Sequence, residues 1–418
     1  MNILVIGAGG REHALVWKLR ENKSIGTIWC APGNSGIGEI ARCIPIKATD
    51  VEGIVAFARE NKPDLCVVTP DDPLVLGMVD ALERVGFKAF GPRKNAAIIE
   101  GSKSFAKQFM RKYDIPTAKY RVFTDLREAK AYIESEGAPI VIKADGLALG
   151  KGVVVAQTVN EALEAAQSML EGGKFGESGK RIVVEECMSG PEVSVLCFTD
   201  GKTVSPMVSS QDHKRVYEND LGPNTGGMGA FAPSPKYTKD IAARCMEEII
   251  TPTVRGMAAE GRTFKGVLYF GLMLTADGPK VVEYNARFGD PETQAVLPLL
   301  DSDLLEIFLA VVEERLDTLD IRWKDASSAC IALTSGGYPG SYTTGYPITG
   351  IEEAKAAGGM VFHAGTRLEN GVFVTGGGRV LGVCALGDSL ESAVRAAYAA
   401  ADKITFKDIH MRRDIGKK

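Results

Sequence analysis

The first ~100 residues alternate apolar runs with amphipathic stretches, and this order constrains the fold more than any other feature of the chain. Apolar runs predict strands at 3–6, 27–30, 65–69 and 88–90, and helical periodicity predicts helices at 12–21, 51–61 and 74–85. Strands that alternate with helices form parallel sheets covered on both faces. The pattern therefore predicts an α/β chain that opens with a doubly wound parallel-sheet domain at residues 1–100.

Composition excludes several classes of protein. A chain of 418 residues suggests roughly two to four domains, and 45% hydrophobic with 24% charged residues is ordinary for a soluble globular protein. The net charge of −4 gives no reason to expect nucleic acid or an acidic membrane as a partner. The chain begins as a strand without a basic, cleavable leader, and no apolar run approaches a membrane span, so we expect a cytoplasmic protein. The eight cysteines are scattered without a CxxC pair, which favours buried free thiols over zinc or disulfides.

A glycine-rich turn follows the first strand and resembles half of a dinucleotide fingerprint. It contains Gly7, Gly9 and Gly10, but Glu12 replaces the third glycine. The second predicted strand ends without an acid that could hold a ribose, which disfavours NAD. The turn alone predicts a phosphate or another polar ligand near a helix N-terminus, with a nicotinamide oxidoreductase as the alternative.

Polar side chains stand at every second position of a predicted strand that includes Glu283, Asn285 and Arg287, with Tyr284 and Ala286 between them. At the period of a strand the three polar groups share one face, while the other two face a core. A carboxylate and an amide oxygen suit Mg²⁺, and a guanidinium can stabilise a transferring phosphoryl group. The alternative is a solvated strand of alternating polarity.

A glycine-rich loop at 144–152 joins predicted strands at 139–143 and 153–156. Its glycine spacing and the Gly152 after Lys151 differ from a Walker loop. Such a hairpin can still fold over phosphates, with Lys143 and Lys151 supplying charge. A plain β-hairpin with solvated lysines is the alternative.

Two further segments carry polar groups suited to a nucleotide site. A predicted strand at 181–188 ends in Glu185 and Glu186, and Glu192 follows; such groups can bind an adenine edge and ribose hydroxyls, or form a solvated turn. The segment 211–230 is polar and then glycine-rich, which suits a mobile cover over a site. His213 lies in this segment, but spacing fixes no acid–base partner for it.

These motifs, in this order, resemble the phosphoribosylamine–glycine ligase family of the ATP-grasp superfamily. The resemblance covers essentially the whole chain and depends on long runs, listed here: residues 9–14, 32–34, 100–103, 142–153, 210–215, 223–229 and 285–293. It implies ATP-grasp central domains at 101–322, with a lid subdomain at about 120–190, and a small mixed α/β C-terminal domain at 323–418. It also implies that ATP, glycine and 5-phosphoribosylamine react through a glycyl phosphate, in de novo purine biosynthesis.

The resemblance also implies roles for individual residues. Nucleotide contacts are expected from Lys103, Lys143, Gly150, Lys151, Gly152, Glu185, Glu186 and Glu192. Glu283 and Asn285 are expected to hold Mg²⁺, with Mn²⁺ as the alternative, and Arg287, Lys143 and Asp212 to serve catalysis. Substrate contacts are expected from Gly9, Gly10, Asp71, Asp212, Asp290, Glu292 and Arg379.

Three of these predictions leave alternatives open. The glycine ammonium and the metal shell are both possible roles for Asp212, Asp290 and Glu292. Gly376, Gly377 and Gly378 with Arg379 could bind the 5-phosphate of the ribosylamine, or form a bulge in an edge hairpin. The strand at 268–273 has no carboxylate, unlike that of many superfamily relatives, which puts a two-metal site in doubt.

Small molecules are the expected partners, and the chain is expected to act as a monomer. Two other classes of function share much of this sequence pattern. A sister ATP-grasp enzyme acting on bicarbonate or formate would have the same nucleotide site. A nucleotide-binding module without turnover is the other alternative, and it is disfavoured because Glu283, Asn285 and Arg287 are all present.

Overall fold

The computed structural model describes residues 1–147, 152–173 and 176–417. The N-terminal unit is a parallel sheet in the order β3-β2-β1-β4-β5, and this part of the fold class is confirmed. Its elements are β1 Ile3–Gly7, α1 Gly10–Leu19, β2 Ile28–Pro32, β3 Arg42–Cys43, α2 Val51–Asn61, β4 Leu65–Val68, α3 Asp71–Leu76, α4 Met78–Arg84, β5 Ala89–Phe90 and α5 Lys94–Gly101.

One predicted helix of this unit is wrong. Residues 74–85 do not form a single helix, because Gly77 adopts a left-handed conformation with φ of 93° and separates α3 from α4. Glycine reaches this region without the steric cost that a Cβ brings. Helix α3 begins at Asp71, whose side chain lines the main cavity.

The central region contains two four-stranded sheets, in the orders β6-β9-β7-β8 and β11-β10-β16-β17. Its elements are α6 Lys103–Lys112, β6 Tyr120–Phe123, α7 Leu126–Glu136, β7 Ile140–Ala144, β8 Val153–Ala156, α8 Val159–Leu170, β9 Ile182–Glu186, β10 Glu192–Thr199, β11 Val204–Pro206, β12 Gln211–Asp212, β13 Arg215–Tyr217, β14 Leu221–Asn224, β15 Gly229–Ala232, α9 Lys239–Cys245, α10 Thr251–Ala259, β16 Gly266–Thr275, β17 Gly278–Asn285, α11 Glu292–Val296 and α12 Leu304–Val312. Single 3₁₀ turns occupy Ile37–Glu39, Gly176–Gly179, Glu218–Asp220, Leu297–Leu299 and Leu316–Thr318, and a π-turn at Met246–Ile250 joins α9 to α10.

The sheet β6-β9-β7-β8 has a core of its own beneath α7 and α8. Ile142 and Val184 are fully buried there, and each such side chain contributes roughly 1.5–3 kcal/mol. Because side chains alternate along a strand, the neighbouring Lys143 and Glu185 face the opposite side, toward the main cavity.

The C-terminal region completes an antiparallel sheet in the order β12-β15-β18-β22-β19, with β23 paired to β18. Its elements are β18 Ser327–Ser335, α13 Ile351–Ala356, β19 Met360–His363, β20 Thr366–Glu369, β21 Val372–Thr375, β22 Arg379–Gly387, α14 Leu390–Ala401 and β23 Ile409–His410. Two strands of this sheet, β12 and β15, come from the central region of the sequence. The sheet therefore ties residues 211–232 to the C-terminal region.

A buried histidine pair lies where α1 meets β19. The backbone N–H of His363 donates to Nδ1 of His13 at 2.8 Å, and the rings lie 5.5 Å apart. Burial lowers the pKa of His13 to about 3 and that of His363 to about 4. Both imidazoles are therefore neutral at physiological pH, and the acceptor at His13 Nδ1 depends on that state.

Two findings bear on the class of protein. Within the described ranges, none of the helices combines the length and apolar content that a bilayer crossing needs. The eight cysteines are free thiols, but Cys43 is exposed and Cys187 is half-buried, so the prediction that all are buried is wrong at those two positions.

Candidate active site

A cavity of about 1020 Å³ lies between the two central sheets and reaches the N-terminal and C-terminal units. One of its walls, here called the nucleotide wall, carries Lys103, Lys107, Lys143 and Glu185. The other, here called the acceptor wall, carries Asp212, Lys214, Asp290, Glu292 and Arg379. Strand β17 runs between them and presents Glu283 and Asn285. The predicted strand includes Arg287, but β17 ends at Asn285, and Arg287 reaches the cavity from the bend that follows.

The nucleotide wall centres on the buried carboxylate of Glu185. Its Oε2 lies 3.0 Å from Nζ of Lys107 and 3.0 Å from Nζ of Lys143. Among the described residues nothing donates to Glu185 Oε1, although that atom is buried. A buried acceptor without a partner is costly, so this oxygen is suited to a donor on a ligand. Lys143 also donates to the carbonyl of Val282 at 3.1 Å, which links the two sheets.

The lysines of this wall are strongly desolvated. Burial lowers the pKa of Lys107 to about 8, although Glu185 opposes the shift, and burial also lowers the pKa of Lys103 despite Glu283. Lys103 begins α6 directly after the N-cap Ser102, and its Nζ donates to the carbonyl of Gly146 at 2.9 Å. Clustered, poorly solvated ammonium groups gain the most from an anionic ligand. The donor set therefore fits a polyphosphate.

The loop that follows Lys143 is described in part. Asp145 ties its start to α6 through the backbone N–H of Ser104 at 2.6 Å. Gly152 is buried in the cavity wall, whereas Gly150 and Lys151 lie outside the described residues. Glu186 also lines the cavity, and its Oε1 accepts from the backbone N–H of Lys119 at 3.1 Å.

Strand β17 has the predicted alternation. Tyr284 and Ala286 are 3% and 1% exposed, while Glu283 and Asn285 face the cavity. Burial would raise the pKa of Glu283, but the positive charges of Lys214, Lys143 and Lys103 hold it below its ordinary value. An ionised carboxylate and an amide oxygen on one face are hard donors of the kind that Mg²⁺ takes. Nowhere in the described ranges do three or more acidic, His or Cys side chains form a metal-holding group, so phosphate and water oxygens would complete the shell.

Strand β16, which pairs with β17, places residues other than an acid opposite Glu283 and Asn285. Gly271 of β16 stands opposite Glu283, and a Cβ there would lie 3.1 Å from the Glu283 Cγ. Tyr269 stands opposite Asn285, and its hydroxyl reaches Glu292 Oε1 at 3.1 Å. A phenol thus occupies the position beside Asn285, and the strand supplies no carboxylate to bridge two ions.

Arg287 is held by a residue that sequence reasoning did not single out. Its Nη2 lies 3.0 Å from Glu100 Oε1 and donates to Asn285 Oδ1 at 3.1 Å. Glu100 Oε2 accepts from the backbone N–H of Ala286 at 2.6 Å. Burial raises the pKa of Glu100 to about 6, against the charge of Arg287. The pair orients the guanidinium at the end of β17, next to the proposed metal ligands.

Negative charge is concentrated on the acceptor wall. Lys214 pairs with Glu192 at 2.9 Å and lies 3.8 Å from Glu283. Burial raises the pKa of Asp212 to about 7; Lys214 opposes this shift and Glu292 adds to it. Glu292 is buried and accepts from the hydroxyl of Tyr269. This surplus of carboxylate over ammonium groups favours a cationic ligand.

Asp290 differs from the other acids because both of its carboxylate oxygens are already engaged. Oδ2 pairs with Arg379 at 3.1 Å, and Oδ1 accepts from Gln294 Nε2 at 2.7 Å. Arg379 also donates to the carbonyl oxygens of Gly226 and Asp290, each at 2.8 Å. Asp290 therefore holds Arg379 in position at the cavity wall.

Two predicted glycine motifs make contacts within the protein. The backbone N–H of Gly9 donates to Glu12 Oε2, and Gly10 packs against Gln294, next to Arg11, which lines the main cavity. In the C-terminal motif the amide of Gly376 donates to the carbonyl of Gly365 at 2.7 Å and faces a second cavity. Gly376 therefore lies at the second cavity and Arg379 at the main cavity, and phosphate binding by this motif stays a prediction.

The family models match nearly the whole chain. Residues 1–100 match the model described as Phosphoribosylglycinamide synthetase, N domain; residues 101–293 match its ATP-grasp (A) domain and 328–418 its C domain. The chain belongs to the phosphoribosylamine–glycine ligase family. The resemblance seen in the sequence is confirmed.

Individual members of the ligase family agree with this assignment. A phosphoribosylamine–glycine ligase from Vibrio vulnificus is 50% identical over 100% of this chain and 98% of its own length. The crystal structure of the Thermotoga maritima ligase has a TM-score of 0.85 at 33% identity, and covers 99% of this chain and 100% of that one. A biotin carboxylase domain from Hydrogenobacter thermophilus, solved with MgADP and bicarbonate, has a TM-score of 0.75 at 17% identity, with coverage of 98% and 91%. That likeness shows the shared ATP-grasp fold alone.

Several residues of the ligase site were not assigned from sequence. Lys107 could have been found, because it lies four residues after Lys103 and so shares its face of α6. Lys214 lies inside a motif that the resemblance used, but no rule of spacing reveals that it pairs with Glu192. Glu100 and Tyr269 gain their roles from contacts that are remote in sequence, which local patterns do not reveal.

Proposed function

We propose that the chain ligates glycine to 5-phosphoribosylamine at the expense of ATP, giving glycinamide ribonucleotide, ADP and phosphate in de novo purine biosynthesis. The observation that carries this proposal is the single cavity in which a basic nucleotide wall faces an acidic acceptor wall across Arg287. Membership of the ligase family supports the same reaction.

The first step makes the carboxylate of glycine reactive. A glycine oxygen attacks the γ-phosphorus of ATP, the bond to the β,γ-bridging oxygen breaks, and ADP leaves with that electron pair. Lys103, Lys143 and Arg287 neutralise charge on the transferring group, while Glu185 and Glu186 contact the base and Glu192 the ribose. Catalysis of this kind is mainly positioning and charge stabilisation.

The second step forms the amide. The amine of the ribosylamine attacks the acyl carbon of glycyl phosphate, loses a proton, and phosphate departs with the oxygen that glycine supplied. Arg287 lies where it can stabilise the tetrahedral oxyanion. Asp212 and Glu292 hold the glycine ammonium, since Asp290 is engaged by Arg379 and Gln294. The turn of Gly9 and Gly10, together with Asp71, contacts the sugar, and Arg379 contacts its phosphate.

Glu283 and Asn285 would hold Mg²⁺ or Mn²⁺, which supplies charge neutralisation at the phosphates when bound. The domains are proposed to be 1–100, 101–322 with a lid at about 120–190 that includes Gly150, Lys151 and Gly152, and 323–418. The protein is proposed to work in the cytoplasm as a monomer on small molecules, without nucleic acid or membrane partners.

An oxygen-transfer experiment tests the proposal. Glycine labelled with ¹⁸O in its carboxylate is incubated with ATP, the divalent ion, freshly made ribosylamine and the protein. We expect ADP release to require every reactant, glycinamide ribonucleotide to appear by mass spectrometry, and one ¹⁸O to enter each phosphate.

Control reactions replace glycine with bicarbonate or formate. ADP release that depends on bicarbonate or formate would indicate a sister ATP-grasp enzyme. Phosphate without the label would refute the glycyl phosphate intermediate. Nucleotide binding without any turnover would indicate a nucleotide-binding module that is not an enzyme.

A further inference from the structure

An exposed β-hairpin lies at the edge of the acceptor wall. This cover hairpin, residues 215–224, consists of β13 and β14 joined by the 3₁₀ turn Glu218–Asp220. Tyr217 and Leu221 are 55% and 61% exposed, whereas Val216 is 1% exposed. A two-stranded hairpin with so little apolar burial is marginally stable by itself. Its position must therefore be fixed by contacts outside the hairpin.

Those contacts come from the C-terminal clasp, residues 410–414. Arg412 Nη1 donates to the carbonyl of Arg215 and to Asp220 Oδ1, each at 3.0 Å. Asp414 Oδ2 accepts from the backbone N–H of Asn219 at 2.9 Å, and His410 Nε2 lies 2.9 Å from the carbonyl of Val216. The clasp thus holds the first strand of the hairpin and its turn.

Arg412 is the centre of the clasp. It is fully buried, and its Nε and Nη2 donate to the two carboxylate oxygens of Asp414, both at 2.7 Å. A bidentate guanidinium–carboxylate pair is rigid and geometrically specific. The hydroxyl of Tyr398 on α14 donates to the Arg412 carbonyl at 2.8 Å and accepts from the backbone N–H of Ile415 at 3.0 Å. The clasp is therefore anchored to the C-terminal sheet and helix.

The other side of the cover hairpin faces the reaction cavity. Arg215, Asp220 and Asn224 line it. At the base of the hairpin the Lys214 carbonyl accepts from the backbone N–H of Thr225 at 2.7 Å, while the Lys214 ammonium pairs with Glu192. Gly226, the next residue, accepts from Arg379 through its carbonyl. A shift of the hairpin would move both ends of the acceptor wall.

We propose that Arg412 is a positioning residue for the ligation, which fixes the cover hairpin over the acceptor wall without touching a substrate. The inference rests on the proposed function for its kinetic consequence. Its structural part, the restraint of the hairpin by the clasp, does not depend on which reaction occurs.

The test compares the wild-type full chain with Arg412→Gln, Arg412→Lys and Arg413→Gln. Arg413 is the matched control within the clasp, because its side chain pairs with Asp402 at 2.6 Å, and only its backbone N–H, which the substitution keeps, contacts the cover hairpin, at Glu218 Oε1. Two properties are measured for each protein: KM for ATP, glycine and ribosylamine, and hydrogen–deuterium exchange of backbone amides along the chain.

With Arg412→Gln we expect the cover hairpin amides to exchange about tenfold faster. We also expect KM for glycine and ribosylamine to rise about tenfold while KM for ATP stays within about twofold. Arg412→Lys keeps the charge but loses the planar fork, so its effects should be intermediate. Arg413→Gln should match the wild type in both measurements.

Three results would overturn the proposal. These are equal exchange in the Arg412 and Arg413 variants, a rise in KM for ATP as large as that for the other substrates, or faster exchange spread evenly over the C-terminal sheet. If Arg412→Gln does not fold, Arg412→Lys decides the same comparison. A wild-type protein that does not ligate would refute the proposed function, whereas the exchange data would still judge the clasp.

Discussion

The two walls of the cavity differ in the sign of their surplus charge. On the nucleotide wall Lys107 and Lys143 pair with the carboxylate of Glu185, and Lys103 adds a third ammonium group. On the acceptor wall the order is reversed, and the ammonium group of Lys214 faces a surplus of carboxylates that includes Asp212. The two walls thus carry opposite surplus charge, and Arg287 lies at the boundary between them.

The difference also separates two strategies for burying charge. On the basic wall, desolvation lowers the pKa of Lys107 to about 8, so a bound phosphate would favour the charged ammonium form. On the acidic wall, burial raises the pKa of Asp212 to about 7, so a bound ammonium group would favour the charged carboxylate form. Substrate binding should stabilise both walls, and substitutions on one wall should spare the ligand of the other.

The largest effect is expected at the boundary itself. Arg287→Met should lower kcat about 10³-fold, because the guanidinium stabilises the charge of both steps. Release of ADP under saturating substrates measures this. Since the substitution leaves Glu100 buried without its cation, the double variant Arg287→Met with Glu100→Gln serves as the control for folding. The double variant should recover the wild-type unfolding midpoint while its turnover stays low. Turnover within about tenfold of wild type would show that Arg287 takes no part in the reaction.

A smaller effect should be confined to the basic wall. Lys143→Met should raise KM for ATP by about 10- to 50-fold and leave KM for glycine nearly unchanged, since Lys107 still neutralises Glu185. Lys112→Met is the matched control, because Lys112 forms an exposed pair with Glu260. Steady-state kinetics with each substrate varied in turn provide the measurement. Equal rises in KM for ATP and for glycine would contradict the proposed division of binding between the two walls.

The acidic wall predicts a contrast between two aspartates. Asp212→Asn should raise KM for glycine about 5- to 10-fold, because its carboxylate is proposed to face the ammonium group. Asp290→Asn should instead raise KM for the ribosylamine, since Asp290 holds Arg379. The same kinetic series shows which substrate each variant affects. Interchanged effects would reverse the proposed roles.

The smallest effect lies outside both walls, at the histidine pair. Folding lowers the pKa of His13 to about 3 from an unfolded value near 6.5, so its contribution to stability is present above about pH 6.5 and is lost as the pH falls toward 3. His13→Asn keeps an acceptor for the His363 N–H. Between about pH 7 and pH 5 the free energy of unfolding of this variant should therefore fall by roughly 1–2 kcal/mol less than that of the wild type. Urea unfolding at the two values measures this, and an unchanged loss would show that His13 is not the acid-sensitive group.

Local features of this molecule were predictable from the sequence. The period of two in β17 predicted which side chains face the cavity, and the start of α6 carries a local signal, its N-cap Ser102. The alternation of the first ~100 residues predicted the parallel sheet. Each of these depends on neighbours in the chain, where the physics of strands, caps and crossovers is local.

Contacts between distant segments could not be predicted in the same way. Glu100 meets the backbone of Ala286 across 186 positions, and β12 and β15 join a sheet otherwise built from the C-terminal region. The split of the helix at Gly77 is local, but helical periodicity on both sides concealed it. Resemblance to a family named Asp212, Asp290 and Glu292 on the acceptor wall, but only the geometry shows that Asp290 is already paired with Arg379.

Ser102 is the single residue between α5 and α6, so Glu100 and Lys103 leave the same bend of the backbone in different directions. A small rotation of this elbow would move a phosphate contact and the support of Arg287 together. Binding of the nucleotide phosphates at Lys103 would then be coupled to the orientation of Arg287. A misplaced nucleotide would leave Arg287 wrongly oriented for phosphoryl transfer.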